Sequence, residues 1–263
     1  MAKKVFLGVG HGGSDPGAVK FIVEKEFTLK TAKATGEYLK EYGIDYKLSR
    51  TADIDTEMNI KVRMCNDYKP DLVVDVHFNA GGGEGFEAYY STVGGTSKKL
   101  AENINAEVKK IMSSRGVKTK TGSDGSDYFA IIRETYAPSV LCEGGFVDTK
   151  SDADFLKENY KKLAKAYADG IAKTLGVEKK NQNLLDNEGY KRGDKTIGSY
   201  ALKLLLLLAK QKNLQPHNLD DESYDFGDGT EKAVNHLLKK WGYDQSGIAG
   251  KNFEKRLYDE LKK

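Results

Sequence analysis

The sequence predicts an α/β protein, a mainly parallel twisted sheet flanked by helices, followed by a small all-α C-terminal domain. Three observations carry that prediction. From residue 4 to about 175, short apolar runs alternate with longer segments of helical period, the pattern of a parallel sheet with crossover helices. After Gly176 the pattern stops at a polar stretch, Val177-Glu-Lys-Lys-Asn-Gln-Asn, which reads as a linker. Beyond it only helical spacing returns.

Each element can be justified in order. The first apolar run, residues 5–9, follows two lysines as in a signal peptide, but it falls short of the roughly 7–15 residues of an export h-region and reads as a buried strand. Residues 24–42 form the first helix, with Gly43 at its C-cap. A strand over 46–48, a helix over 58–68 and a strand over 72–77 follow. The alternation continues with a strand over 85–90, a helix over 97–114, strands near 129–132 and over 140–142, and a helix over 159–175 that ends at Gly176. That makes about five or six strands. In the tail, 200–212, 232–241 and 253–261 have helical spacing and suggest a three-helix module.

Bulk properties exclude more than they assign. A hydrophobic fraction of 39% supports a core, and 42 basic against 39 acidic residues leave a net charge of +3. No basic block with interleaved aromatics points to nucleic acid. The run 204–209 is far below the roughly 20 residues needed to span a membrane, so no membrane insertion is expected. Synthesis in the cytoplasm without a signal peptide is the expectation for the chain as given. Cys65 and Cys142 lie far apart, outside any metal-type spacing, and are expected to be reduced and buried.

The chemistry sits at strand ends. The segment Gly8-Val-Gly-His-Gly-Gly-Ser-Asp-Pro-Gly17 formally matches a dinucleotide loop through Gly8, Gly10 and Gly13. Such a loop must open directly into a helix that holds a pyrophosphate, whereas here Pro16 and Gly17 follow and no helical pattern begins before about Glu24. What remains is His11 at the carboxyl end of a strand, and His77 in an equivalent position within Asp75-Val-His-Phe-Asn79. Two histidines at equivalent strand ends favour a shared metal, and a catalytic zinc needs a third N or O ligand. Glu24 and Glu26 both stand at the start of the first helix, where acids are also favoured by the helix dipole. Glu143, before Gly144-Gly145, suits a general base.

At these residues the sequence resembles the zinc amidases of bacterial autolysins and phage lysins, the family often called amidase 3. Four separated motifs carry the resemblance in the family's order: Gly10-His-Gly-Gly-Ser-Asp-Pro-Gly-Ala18, Val23-Glu-Lys-Glu-Phe-Thr-Leu29, Asp75-Val-His-Phe-Asn-Ala80 and Leu141-Cys-Glu-Gly-Gly-Phe-Val147. It implies His11, Glu24 and His77 as ligands of Zn²⁺ and Glu143 as the catalytic residue, with Glu24 preferred over Glu26. The implied activity is hydrolysis of the amide between N-acetylmuramic acid and L-alanine, with bacterial peptidoglycan as the partner. Arg50-Thr-Ala-Asp53 and the Ile60, Arg63, Asn66 spacing also resemble the family and read as structural. Val147-Asp148 replaces the Ser-Asn usual after the Gly-Phe pair.

The tail is similar to a small helical peptidoglycan-binding domain through Phe226-Gly-Asp-Gly-Thr-Glu-Lys-Ala-Val234, Gly242-Tyr243 and Gly247-Ile-Ala-Gly250, although Leu237-Leu238 replaces the usual Phe-Gln. The expected organisation is a catalytic domain over 1–176, a linker over 177–193 and a cell-wall domain over 194–263. His217 and His236 read as ordinary surface or helix histidines. The rival readings are a zinc peptidase acting on the peptidoglycan stem and a wall-binding protein without catalysis. The enzyme is expected to reach the wall after release or lysis.

Overall fold

The computed structural model describes residues 3–178, 189–219 and 225–262. The chain divides into two compact units, Met1–Lys180 and Asn181–Lys263. Most of the expected linker, residues 179–188, lies outside the described residues.

The first unit is the expected α/β sheet. Its strands are β1 (Lys4–Val9), β2 (Asp45–Leu48), β3 (Leu72–Asn79), β4 (Phe86–Tyr90), β5 (Ser114–Lys118) and β6 (Ser139–Phe146). They lie in the order β2-β1-β3-β6-β4-β5. All neighbours are parallel except β4 against β6. The helices are α1 (Glu24–Glu41), α2 (Met58–Tyr68), α3 (Gly95–Val108), the short α4 (Ala130–Arg133) and α5 (Lys150–Leu175).

Strand alternation decides which side chains meet, because successive residues face opposite sides of the sheet. Val5, Leu7, Val9, Val74, Val76 and Phe78 join the large core with residues of α1, α3 and α5. Their alternates Phe6, Val73 and Leu141 join a smaller cluster with Val62 and Cys65 of α2 and Ile131 and Ile132 of α4. Along that second face, two residues further on at each step, come Asp75, His77 and Glu143. The thinner helical layer therefore covers the strand middles, and the polar residues gather at the strand ends.

Three local expectations are corrected. The apolar run near 129–132 is not a strand: Phe129 is the N-cap of α4, and Ile131 and Ile132 are buried in the smaller cluster. A run that short cannot be told apart by periodicity alone. The helix expected over 97–114 stops at Val108, and β5 follows as an edge strand. Its register shifts between Phe86 and Glu87, so that Arg115 is an extra residue beside Gly116 at φ 88°, a bulge that hides the strand's period. Helix α5 begins at Lys150, nine residues before the expected start, with Asp152 buried in its first turn.

The second unit holds α6 (Ile197–Gln211), α7 (Asp228–Lys240) and α8 (Lys251–Leu261). Thr196 and Ser199 form a capping box that starts α6, satisfying backbone donors that a helix end leaves open. Leu202, Leu206, Phe226, Leu237, Phe253 and Leu257 are buried in its core. Tyr190 belongs to this core and bridges Ala249.

Candidate metal centre

The glycine loop after β1 exists to let side chains approach. A Cβ on Gly10 would stand 2.5 Å from the His77 ring. One on Gly17, at φ 64°, would stand 2.6 Å from Glu24 Oε2 and 2.7 Å from the His11 ring. His11 itself takes φ 55°, a left-handed conformation uncommon outside glycine. The buried guanidinium of Arg50 holds the loop in place by donating from Nη2 to the Gly10 and Lys25 carbonyls, at 3.0 and 2.8 Å. Its neighbour Asp53 accepts from Gly13 N–H and Lys25 Nζ, both at 2.8 Å. The segment Arg50 to Asp53 is thus a clasp.

The structure brings His11, Glu24 and His77 together. Each offers one ligand atom, and these atoms lie within 4.8 Å of one another. Glu24 is the hub: Oε1 lies 3.1 Å from His11 Nε2 and 3.2 Å from His77 Nδ1. Its carboxylate also accepts the Phe78 and Ala18 amides, each at 3.0 Å. The two imidazoles meet edge to face, with centroids 5.0 Å apart. Glu26, by contrast, is 53% exposed in its side chain and pairs with Lys30 along α1.

Each imidazole is backed by a second carboxylate on its other nitrogen. Asp15 Oδ2 lies 2.7 Å from His11 Nδ1, and Asp75 Oδ2 lies 3.5 Å from His77 Nε2. Asp75 is fully buried and is matched by the buried Lys61 ammonium of α2, 3.1 Å away. Sequence reading did not single out Asp15, Asp75 or Lys61 as site residues. For the two aspartates a signal existed, since Asp75 precedes His77 by one strand period and Asp15 follows His11 in the same loop; Lys61 is brought in only by tertiary packing.

Electrostatics follow from this crowding. Hydrogen bonding with Glu24 raises the His11 pKa above the ordinary histidine value, against the opposing effect of burial. Burial alone would lower the His77 pKa, but Asp75 and Glu24 outweigh it and push it up to about 10. Burial likewise opposes ionisation of Glu24, yet the two imidazoles hold its carboxyl far below the usual range.

Glu143 sits on β6 directly beside His77 in the β3–β6 register. Its Oε2 is buried and has no hydrogen-bond partner among the described residues. Burial, with smaller contributions from Glu24, Glu87 and Asp75 and against the pull of His77, pushes its pKa up to about 7. Such a carboxyl is poised to exchange a proton near neutral pH.

No other group of three or more metal-ligating side chains is gathered among the described residues. In the second unit, His217 and His236 stack edge to face at 5.4 Å without a third donor. Cys65 and Cys142 are free and buried. No described helix is long and apolar enough to cross a membrane.

Comparison with known proteins places the chain in a class. Residues 5–173 match the family described as N-acetylmuramoyl-L-alanine amidase, and the chain belongs to that family, hydrolases of bacterial peptidoglycan. It is 37% identical over 184 residues to the sporulation-specific N-acetylmuramoyl-L-alanine amidase of Bacillus subtilis (strain 168), covering 67% of this chain and 69% of that protein. It is also 37% identical over 193 residues to the endolysin of Bacillus phage SPP1, covering 69% of each. Among solved structures, the catalytic domain of CwlV, an N-acetylmuramoyl-L-alanine amidase from Bacillus (Paenibacillus) polymyxa var. colistinus, superposes with a TM-score of 0.61 at 28% identity, over 67% of this chain and 99% of that one.

Proposed function

We propose that this chain is a zinc-dependent N-acetylmuramoyl-L-alanine amidase whose ion is held by His11, Glu24 and His77 and whose catalytic residue is Glu143. The observation that carries the reading is the convergence of two imidazole nitrogens and one carboxylate oxygen within 4.8 Å, beside Glu143, whose buried Oε2 has no hydrogen-bond partner among the described residues. Two nitrogens and one oxygen suit a borderline cation with a position left for water. When bound, zinc supplies a Lewis acid for the amide carbonyl and water of lowered pKa.

The chain's own residues do the rest. Asp15 and Asp75 hold the two rings from behind, which fixes which nitrogen faces the centre. Lys61 keeps Asp75 ionised in a buried position. Glu143 takes a proton from the attacking water and passes it to the departing nitrogen of L-alanine. The glycine loop leaves room for the ligand side chains, since a Cβ at Gly10 or Gly17 would collide with His77, Glu24 or His11. In this reading the helical tail, residues 194–263, docks on peptidoglycan, supported by its resemblance to wall-binding modules.

Incubation of the purified protein with cell wall should release new L-alanine N-termini, with muramic acid free of alanine in the fragments by mass spectrometry. Muramic acid still joined to alanine, with a cut further along the stem, would establish the peptidase reading instead. His77→Ala should lose bound zinc and activity together; stoichiometric zinc in that variant would refute the ligand set. Truncation after Val177 should weaken co-sedimentation with wall, and unchanged retention would remove the docking role from the tail.

A further inference from the structure

Beyond the metal, the same face of the sheet carries a second set of charges on β4 and β5. Glu87 is the direct register partner of Glu143 across β4 and β6, so the two side chains lie on one face. The Glu87 carboxylate is nearly inaccessible, 4% exposed. It accepts from Asn79 Nδ2 at 2.8 Å, Tyr89 Oη at 2.9 Å and Arg115 Nε at 2.8 Å, and it pairs with Lys118 Nζ. One anion is thus matched by two cations, and the cluster retains a positive charge.

That surplus is presented outwards. Arg115 and Lys118 keep side-chain exposures of 44% and 35%. Arg115 binds Glu87 through Nε alone and rests 5.4 Å over the Phe146 ring. Its two terminal nitrogens have no protein acceptor among the described residues, and its plane is fixed by Glu87 on one edge and Phe146 beneath. A guanidinium fixed on one edge with the other edge open is arranged to accept a carboxylate in fork geometry. The bulge at Arg115 is what turns this side chain onto the Glu143 face.

We infer that Arg115 and Lys118 form a subsite for a free carboxylate of the peptide stem, one residue beyond the alanine at the scissile bond. The inference rests on the amidase reading above. Its geometry is set by the sheet. β5 lies two strands from β6, about 9.5 Å between backbones at ordinary strand spacing. Two residues of extended peptide reach about 7 Å, and the arginine and lysine side chains close the remainder. A stem whose scissile amide lies over His77 and Glu143 and which runs across β4 therefore brings the α-carboxylate of its second residue to these cations. Glu87 aligns the pair and, by cancelling one charge, leaves a single positive charge for a single carboxylate.

The test uses two soluble muramoyl peptides that differ only at the second stem residue, one with a free α-carboxylate and one with the carboxamide. Cleavage is read as release of the L-alanine N-terminus by the full chain loaded with zinc. The unmodified protein should prefer the free acid by about tenfold to a hundredfold in kcat/KM, the range of one or two charge-assisted hydrogen bonds. In Arg115→Gln, which leaves Lys118 on Glu87, the preference should shrink, and in the Arg115→Gln/Lys118→Gln pair it should vanish, the two peptides being cut at equal rates. Arg115→Lys should restore part of the preference. Equal cleavage of both peptides by the unmodified protein, or a preference that survives the double change, would overturn the subsite and leave the amidase reading standing. Failure to release alanine from either peptide would remove the amidase reading and the subsite with it. Thermal melting of each variant separates loss of fold, which slows both peptides alike, from loss of selectivity.

Discussion

Two glutamates face each other across β4 and β6, and their surroundings are opposite. Around Glu87 the carboxylate is saturated: an amide, a phenol, a guanidinium and an ammonium all address it, and these partners, overcoming the cost of burial, keep its pKa below the usual glutamate range. Around Glu143 no partner among the described residues meets Oε2, and burial drives the pKa up to about 7. The same residue type on the same face at the same level is thus a fixed charge in one region and, in the proposed mechanism, an exchangeable proton in the other. Hydrogen-bond saturation, more than position or residue type, separates the two roles.

The largest effect expected from breaking this contrast is at Glu143. Glu143→Gln keeps the shape and removes the base, so kcat should fall by about 10²–10⁴, the usual contribution of a general acid or base, while bound zinc stays stoichiometric. Near-normal wall lysis by this variant would mean that the unsatisfied carboxylate is not the proton carrier. The pH dependence has a definite sign. Burial favours the neutral carboxyl and the base must be ionised, so the rate should rise with pH through about 7 in the absence of other influences and at lower pH with a cation bound beside it.

At Glu87 the effect is intermediate and of a different kind. Glu87→Gln removes the anion that aligns Arg115 and Lys118, and should cost about 1–3 kcal/mol of stability, less than a fully buried pair because both cations stay partly wet. Glu87 also raises the Glu143 pKa by its charge. The acid limb of the rate profile should therefore move toward lower pH in this variant. An unmoved limb together with unchanged melting would show that the two glutamates are electrostatically independent.

Much of this was legible in the chain, and the remainder was hidden for identifiable reasons. His11 and Glu143 stand beside glycines and His77 toward the end of an apolar run, and period-two alternation sets the face of the two that lie within strands. The sheet, its mainly parallel character and the helical tail followed from the same periodicities. Glu24 was separable from Glu26 only through the family motif, because both are acids in the first turn of one helix; the fold distinguishes them by burying the first at the centre and leaving the second in solvent. Glu87, Arg115 and Lys118 escaped notice because their meeting depends on the strand order, in which β5 lies beside β4 and β4 runs against β6. The bulge and Gly116 disguise β5 further. Lys61 was hidden similarly, reading as a solvated helix lysine until packing places it on Asp75.

The smallest expected effect tests whether an unsatisfied buried group is by itself a sign of function. Tyr167 in α5 is fully buried against Phe86, with ring centroids 5.9 Å apart, and its hydroxyl has no partner among the described residues. Unlike Glu143, it lies in the large core beneath the sheet, and burial raises its pKa so far that it exchanges no proton in the working range. A neutral hydroxyl without a bond only costs desolvation, so Tyr167→Phe should leave wall hydrolysis unchanged and stabilise the fold by about 1 kcal/mol. For a domain of this size that is a rise of roughly 2–4 °C in Tm. A fall in Tm would mean that the hydroxyl is bonded in solution, and a loss of activity would tie it to Glu143. With neither, the orphaned carboxylate owes its role to its charge and its place beside His77, and the orphaned phenol is only a cost that the core tolerates.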